Sequence, residues 1–203
     1  MDIRATPPAN AILLFSGHFL SDWVSRAGSR HHWKLEGGFL EVTPGSGDIM
    51  TRRRFEDFFL HLEFRCPEMP DARGQDRGNS GVYLQGRYEI QILDSWGVHQ
   101  PGPRDCGAVY EQTAPLVNAS KPTTAWQKYE IVFRSAREEK GKVEPARATV
   151  MHNGLVIHNN LSLLPTPGAL DDKVLEPGPL LLQEHGAPVA FRRGWLVPLN
   201  KGS

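Results

Sequence analysis

Val82-Tyr83-Leu84-Gln85-Gly86-Arg87-Tyr88-Glu89-Ile90-Gln91-Ile92-Leu93 reads as two strands joined by a tight turn. Residues 82–85 and 88–93 are rich in β-branched and aromatic side chains, and Gly86-Arg87 separates them as a two-residue hairpin turn would. In a strand, successive side chains point to opposite faces. Tyr88, Ile90 and Ile92 therefore share one face, and Glu89, Gln91 and Leu93 share the other. One face is apolar enough for a core, and the other sets two long polar side chains next to each other.

The same period of two recurs on both sides of this hairpin. Phe58, Leu60, Leu62 and Phe64 alternate with Phe59, His61, Glu63 and Arg65, which is a strand with one buried face. Tyr129, Ile131 and Phe133 give another. Residues 149–152 and 155–158 flank Asn153-Gly154, a pair that tolerates the positive φ of a tight hairpin. Residues 180–185 and 189–199 read as a third pair of strands. Gly (20) and Pro (16) supply about 18% of the 203 residues, against a usual ~12%, so turns cut the chain into short pieces. Two helical readings compete: one through Phe55, Phe58, Phe59 and Leu62, which Pro67 and Pro70 close early, and a short helix over 111–117, which Pro115 weakens. Strands every 8–15 residues with no strand–helix alternation predict an all-β antiparallel sandwich or jelly roll. With no repeat or linker, the chain reads as one domain over 1–203, its core between about residues 14 and 199.

Composition narrows the function. Lys plus Arg and Asp plus Glu both number 23, so the basic excess expected of a nucleic-acid or anionic-membrane binder is missing. No apolar run approaches the ~20 residues of a membrane span, and residues 11–15 are too short for a signal-peptide core. Cys66 and Cys106 are 40 positions apart without a CxxC, which fits two buried thiols, or one disulfide, better than zinc. Gly-rich nucleotide loops, HExxH and GxSxG are absent, so dinucleotide, zincin and α/β-hydrolase chemistry have no support.

The polar residues gather between residues 78 and 110 and again near 183. Leu181, Gln183 and His185 share a strand face. If that strand joins the sheet of Glu89 and Gln91, a carboxylate, an imidazole and two carboxamides make one patch. Asp94 ends the Glu89 strand, and a bulge would bring it to the same face. Tyr83, Trp96, Tyr110 and Trp126 add flat apolar rings. Sugars need this mixture, because rings cover C–H faces while carboxylates and amides bond vicinal hydroxyls. Arg87, in the turn, would either clamp substrate oxygens or pair with Asp94 or Glu111.

Asn79-Ser80-Gly81 followed by the whole stretch to Ser95 resembles the central motif of the 3-keto-disaccharide hydrolase domain family, also known as domain of unknown function 1080. Leu14-Phe15-Ser16-Gly17 with Trp23 resembles its opening signature. Cys106-Gly107-Ala108-Val109-Tyr110, Lys121-Pro122 with Trp126-Gln127, His152-Asn153-Gly154 and Leu182-Gln183-Glu184-His185-Gly186 follow in the family's order. Cys66 departs from the expected pattern.

The resemblance implies a concanavalin A-like jelly-roll β-sandwich acting on sugars, commonly in the periplasm or outside the cell. It implies cleavage of glycosides that a sugar 3-dehydrogenase has already oxidised to the 3-ketone. For that chemistry the polar face offers Glu89 and His185 as the catalytic base and acid in either order, and Asn79, Tyr83, Arg87, Gln91, Asp94, Trp96, Tyr110, Trp126 and Gln183 for substrate binding. No cofactor is required by this reading. A divalent cation held partly by Asp94 is the open alternative for enolate stabilisation. The competing functions are a non-catalytic carbohydrate-binding module of lectin-like fold and a protein-interaction domain on the same face, since fold alone does not fix function.

Overall fold

The computed structural model describes residues 6–15 and 20–199; Ser16 and Gly17 of the opening signature lie outside them. The strands of the first half are β1 (Ile12–Leu13), β2 (Trp23–Ser25), β3 (Lys34–Glu36), β4 (Phe39–Glu41), β5 (Ile49–Thr51), β6 (Phe58–Arg65), β7 (Ser80–Leu84) and β8 (Tyr88–Ile92). Those of the second half are β9 (Gln127–Arg134), β10 (Arg137–Glu139), β11 (Lys142–Glu144), β12 (Ala146–His152), β13 (Leu155–Leu163), β14 (Leu181–Leu182) and β15 (Ala190–Pro198). All the pairings are antiparallel.

The larger sheet runs β13-β12-β9-β6-β15-β4-β3, with β1 also on β15; the smaller runs β2-β5-β14-β7-β8. Their apolar faces meet in the core. Leu60, Leu62, Phe64, Ile131 and Phe133 from the larger sheet pack with Val82, Leu84, Ile90, Ile92 and Leu182 from the smaller. In β9 and β12 buried positions alternate with more open ones, so one face of the larger sheet is buried, whereas β7 and β8 are buried at every position. The Tyr129 hydroxyl crosses the core and donates to the Gln91 carbonyl at 2.6 Å. This satisfies a buried polar group and ties the site-bearing strand to the opposite sheet. The expected β-sandwich is therefore the observed fold.

Local details differ from the sequence reading in three places. The left-handed pair of the β7–β8 turn is Gln85 (φ 53°) and Gly86 (φ 68°), one residue earlier than expected. The strands near 181 and 190–198 do not pair with each other: β14 lies between β5 and β7, whereas β15 lies between β6 and β4. Residues 111–117 form no helix, and Val109 and Thr113 make an isolated antiparallel bridge instead. The Asn153-Gly154 turn is as read, with φ of 51° and 86°. Cys66 and Cys106 are free, buried thiols. Among the described residues no helix is long and apolar enough to cross a membrane.

Candidate functional site

The site grows from the pairing of three strands. Tyr83 stands between Leu181 and Glu89 in register, and Gly81 stands opposite Gln91. Beyond the end of β14, the Gln183 N–H still donates to the Gly81 carbonyl at 3.0 Å. The face turned away from the core therefore carries Tyr83, Glu89, Gln91 and Gln183, with a gap where Gly81 has no side chain. Glu89 leans into that gap. A Cβ built on Gly81 would sit 2.3 Å from Glu89 Oε1 and 3.0 Å from its Cγ. Gly81→Ala is thus expected to push Glu89 out of place and, if the domain is an enzyme with Glu89 as a reacting group, to lower turnover about 100-fold, the scale at which an ångström's misplacement is felt. Steady-state kinetics beside far-UV circular dichroism measure this.

A cavity of about 180 Å³ lies over this face, lined by Asn79, Tyr83, Glu89, Gln91, Tyr110, Pro167, Gly168, Gln183 and His185. Glu89 is its buried floor, 2% exposed. The Tyr83 hydroxyl donates to Glu89 Oε2 at 2.7 Å, and Gln183 Nε2 donates to that hydroxyl at 3.2 Å. Burial pushes the Glu89 carboxyl up, the Tyr83 hydrogen bond pulls it partly back, and the charges of Asp48 and Glu111 push it up again, to about 7. Burial, and then the neighbouring Glu89 charge, raise the Tyr83 phenol, so it stays a proton donor. His185 is exposed at the rim.

Seven residues named from the sequence line this one cavity: Asn79, Tyr83, Glu89, Gln91, Tyr110, Gln183 and His185. Four others lie elsewhere. Arg87 is fully buried; its Nε donates to Asp171 Oδ1 at 2.5 Å and its Nη1 to the Glu176 carbonyl at 2.8 Å. Its partner is thus neither a substrate nor the expected Asp94 or Glu111. Asp94 does not swing round to the cavity, because its Oδ2 accepts from Arg77 Nη2 and Thr123 Oγ1, both at 2.9 Å. Trp96 is half exposed beside a separate hollow with His99, Pro101 and Leu116. Trp126 belongs to the larger sheet's outer side, with Arg192 4.0 Å and Arg65 4.8 Å from its ring centroid. Those cation–π contacts account for the ring without a sugar.

The wall made by Pro167 and Gly168 has no counterpart in the sequence reading. Their stretch, Thr166-Pro167-Gly168, carries only a turn signal. The structure explains its position. Thr166 N–H and Oγ1 donate to the Arg87 carbonyl at 2.9 and 3.1 Å, the Glu89 N–H donates to Thr166 Oγ1 at 3.0 Å, and the Leu170 N–H donates to the Gly86 carbonyl at 2.7 Å. Arg87 then holds Asp171 and Glu176 farther along the same loop. The loop is strapped to the β7–β8 hairpin at both ends.

The residues do not fit the divalent cation that the resemblance left open. Asp94 is committed to Arg77 and Thr123, away from the cavity. Among the described residues no group of three or more His, Cys, Asp or Glu side chains is arranged to hold a metal ion.

Residues 10–197 match the 3-keto-alpha-glucoside-1,2-lyase-like domain family. The chain belongs to this family. Among solved structures, this lyase-like domain is similar to a proposed glycosyl hydrolase from Parabacteroides distasonis, with 35% identity and a TM-score of 0.86 over 96% of this chain and 86% of that one. A second proposed glycosyl hydrolase from the same organism is 21% identical, with a TM-score of 0.63 over 93% of this chain and 99% of that one. The exoplasmic/lumenal domain of VIP36, bound to Ca2+ and Man3GlcNAc, is 10% identical, with a TM-score of 0.52 over 96% and 90%. The last two likenesses speak to the β-sandwich alone. No curated protein matches the chain.

Proposed function

We propose that this domain cleaves 3-keto-glycosides by proton abstraction at C2 and elimination of the glycosidic oxygen, followed by addition of water. A carbohydrate-directed role follows from family membership and from the 35% identical relative described as a proposed glycosyl hydrolase. The observation that carries the specific reaction is Glu89: a buried carboxyl at the floor of a polar hollow, braced by Tyr83, and half ionised near neutral pH.

A ketone at C3 acidifies the C2–H bond, so a carboxylate of that strength suffices as base. Glu89 takes the C2 proton, and the electron pair passes into a C1=C2 double bond as the C1–O bond breaks. His185, at the rim, gives a proton to the departing oxygen. Water then adds across the double bond and restores the free 3-keto sugar. No oxocarbenium ion forms, so the paired carboxylates of ordinary glycosidases are not needed. Gln183 Nε2, which gives one of its two protons to Tyr83, supplies an N–H dipole of the kind that enolate charge requires. Among the described residues no Lys or Arg lines the cavity, which favours a neutral sugar over a uronate. A 3-dehydrogenase would supply the oxidised substrate.

Incubation with a methyl 3-keto-α-glucoside tests the reading. Release of methanol and 3-keto-glucose is the expected result, falling about 100-fold in His185→Ala. Binding without release would make the domain a carbohydrate-binding module, and undiminished turnover in both Glu89→Gln and His185→Ala would remove their assigned roles.

A further inference from the structure

Three amides beneath the cavity are locked in orientation by one another. Asn79 is 2% exposed and Gln91 1%. Asn79 Nδ2 donates to the Gln75 carbonyl at 2.7 Å. Gln91 Oε1 accepts from the Ile92 N–H at 3.1 Å, and Gln91 Nε2 donates to Gln75 Oε1 at 3.0 Å. Gln75 in turn donates through Nε2 to the Arg104 carbonyl at 2.9 Å. Gln75, from the 3-10 turn Gly74–Asp76, is the hub of this chain of bonds, and it does not line the cavity itself.

The locking has a consequence for what the cavity offers. With Nδ2 tied to Gln75, Asn79 Oδ1 is the amide's remaining group. It is buried, and it accepts no hydrogen bond from the protein. A buried acceptor without a donor carries a desolvation cost that a bound hydroxyl removes. Gln91, beside it on the same lining, has its oxygen occupied by Ile92, and its Nε2 donates to Gln75 Oε1 at 3.0 Å and reaches the Arg104 carbonyl at 3.5 Å. The hollow thus has one unpartnered carbonyl acceptor in its wall, that of Asn79.

We propose that Asn79 is the specificity-determining residue of the site, reading a sugar hydroxyl as a hydrogen-bond donor through Oδ1, with Gln75 as the positioning residue that fixes this polarity. The inference rests on the sugar-cleaving reading for its ligand class, and goes beyond it in assigning the direction of one hydrogen bond. The ligand must present an O–H to Asn79. A group that only accepts meets two oxygens facing each other.

Deoxyfluoro analogues test the direction, because fluorine is close to oxygen in size but cannot donate. The probes are methyl 3-keto-α-glucoside and its 4-deoxy-4-fluoro and 6-deoxy-6-fluoro forms. They are compared on wild type and Asn79→Leu by kcat/KM where turned over and by calorimetric Kd where not. In wild type one fluoro analogue is expected to be roughly 10- to 100-fold worse than the parent. In Asn79→Leu that ratio collapses towards one, although both sugars bind more weakly. A purely structural Asn79 would weaken both equally and keep the ratio, which overturns the proposal. Asn79→Ala gives the same reading if the leucine variant does not fold. Discrimination that is seen in binding and lost on substitution, without turnover, sustains this inference and defeats the proposed reaction. Turnover with no discrimination against either analogue does the reverse, and neither binding nor turnover defeats both.

Discussion

Replacing Glu89 with glutamine is expected to cut turnover of a 3-keto-glycoside by roughly 1,000-fold, the usual range for removing a positioned base, while raising stability at pH 8. Both effects come from the same burial. As a base, Glu89 works only when ionised, so kcat/KM of the parent should climb with pH and level off above about 7; the variant should lose that climb. For stability the sign is opposite. The folded carboxyl titrates near 7, above its ordinary 4.5, so the fold favours the protonated form. That contribution is complete below the ordinary value and is lost as pH rises through 7. Glutamine imitates the neutral acid and avoids the loss. Urea unfolding should show Glu89→Gln more stable than the parent by up to about 3 kcal/mol at pH 8, with little difference at pH 4. An equal change at both pH values would mean that the carboxyl is not perturbed as described.

The second large effect is expected at Arg87, a residue that touches no substrate. Arg87→Met should destabilise the protein by about 3 kcal/mol, the lower end for breaking a buried ion pair, because Asp171 remains partly open to water. Arg87→Lys should recover little. A single ammonium cannot reproduce the fork that reaches both Asp171 and the Glu176 carbonyl. Without Arg87, the loop that carries Pro167 and Gly168 is held less firmly as a wall over Tyr83. KM should therefore rise in both variants, with Thr166, Leu170 and the Tyr83–Pro167 hydrogen bond left to hold the loop. Urea midpoints and steady-state kinetics, measured on the same preparations, check the two parts together.

Much of this was legible in the residues. The period of two in Phe58–Arg65 and Tyr88–Ile92 and the Asn153-Gly154 turn reflect local steric rules, and they predicted strands and the buried face correctly. Sharing of a face by Glu89 and Gln91 follows from the same alternation, and β14 does lie in their sheet. What failed was what distance along the chain conceals. Arg87 has the same parity as Glu89 and Gln91, but its partner Asp171 is 84 positions away, and no local pattern announces it. Trp126 looked like a sugar platform until arginines from β6 and β15 were found stacked on it. Asp94 was available by parity only through a bulge that did not form. Gln75 escaped notice because a single glutamine in a Gly-rich turn carries no periodic signal.

The order of strands bears on how the protein is made. β15, the last strand described, is inserted between β6 and β4 in the interior of the larger sheet, and the cavity wall at 167–168 and the Gln183–His185 rim also come late. A nascent chain that has left the ribosome only as far as β13 holds the carboxyl floor but neither wall nor rim, and its larger sheet is split down the middle. Such long-range closure slows folding. Until β15 has emerged, the unfinished sheet presents unpaired edges, on which a chaperone or another growing chain can dock.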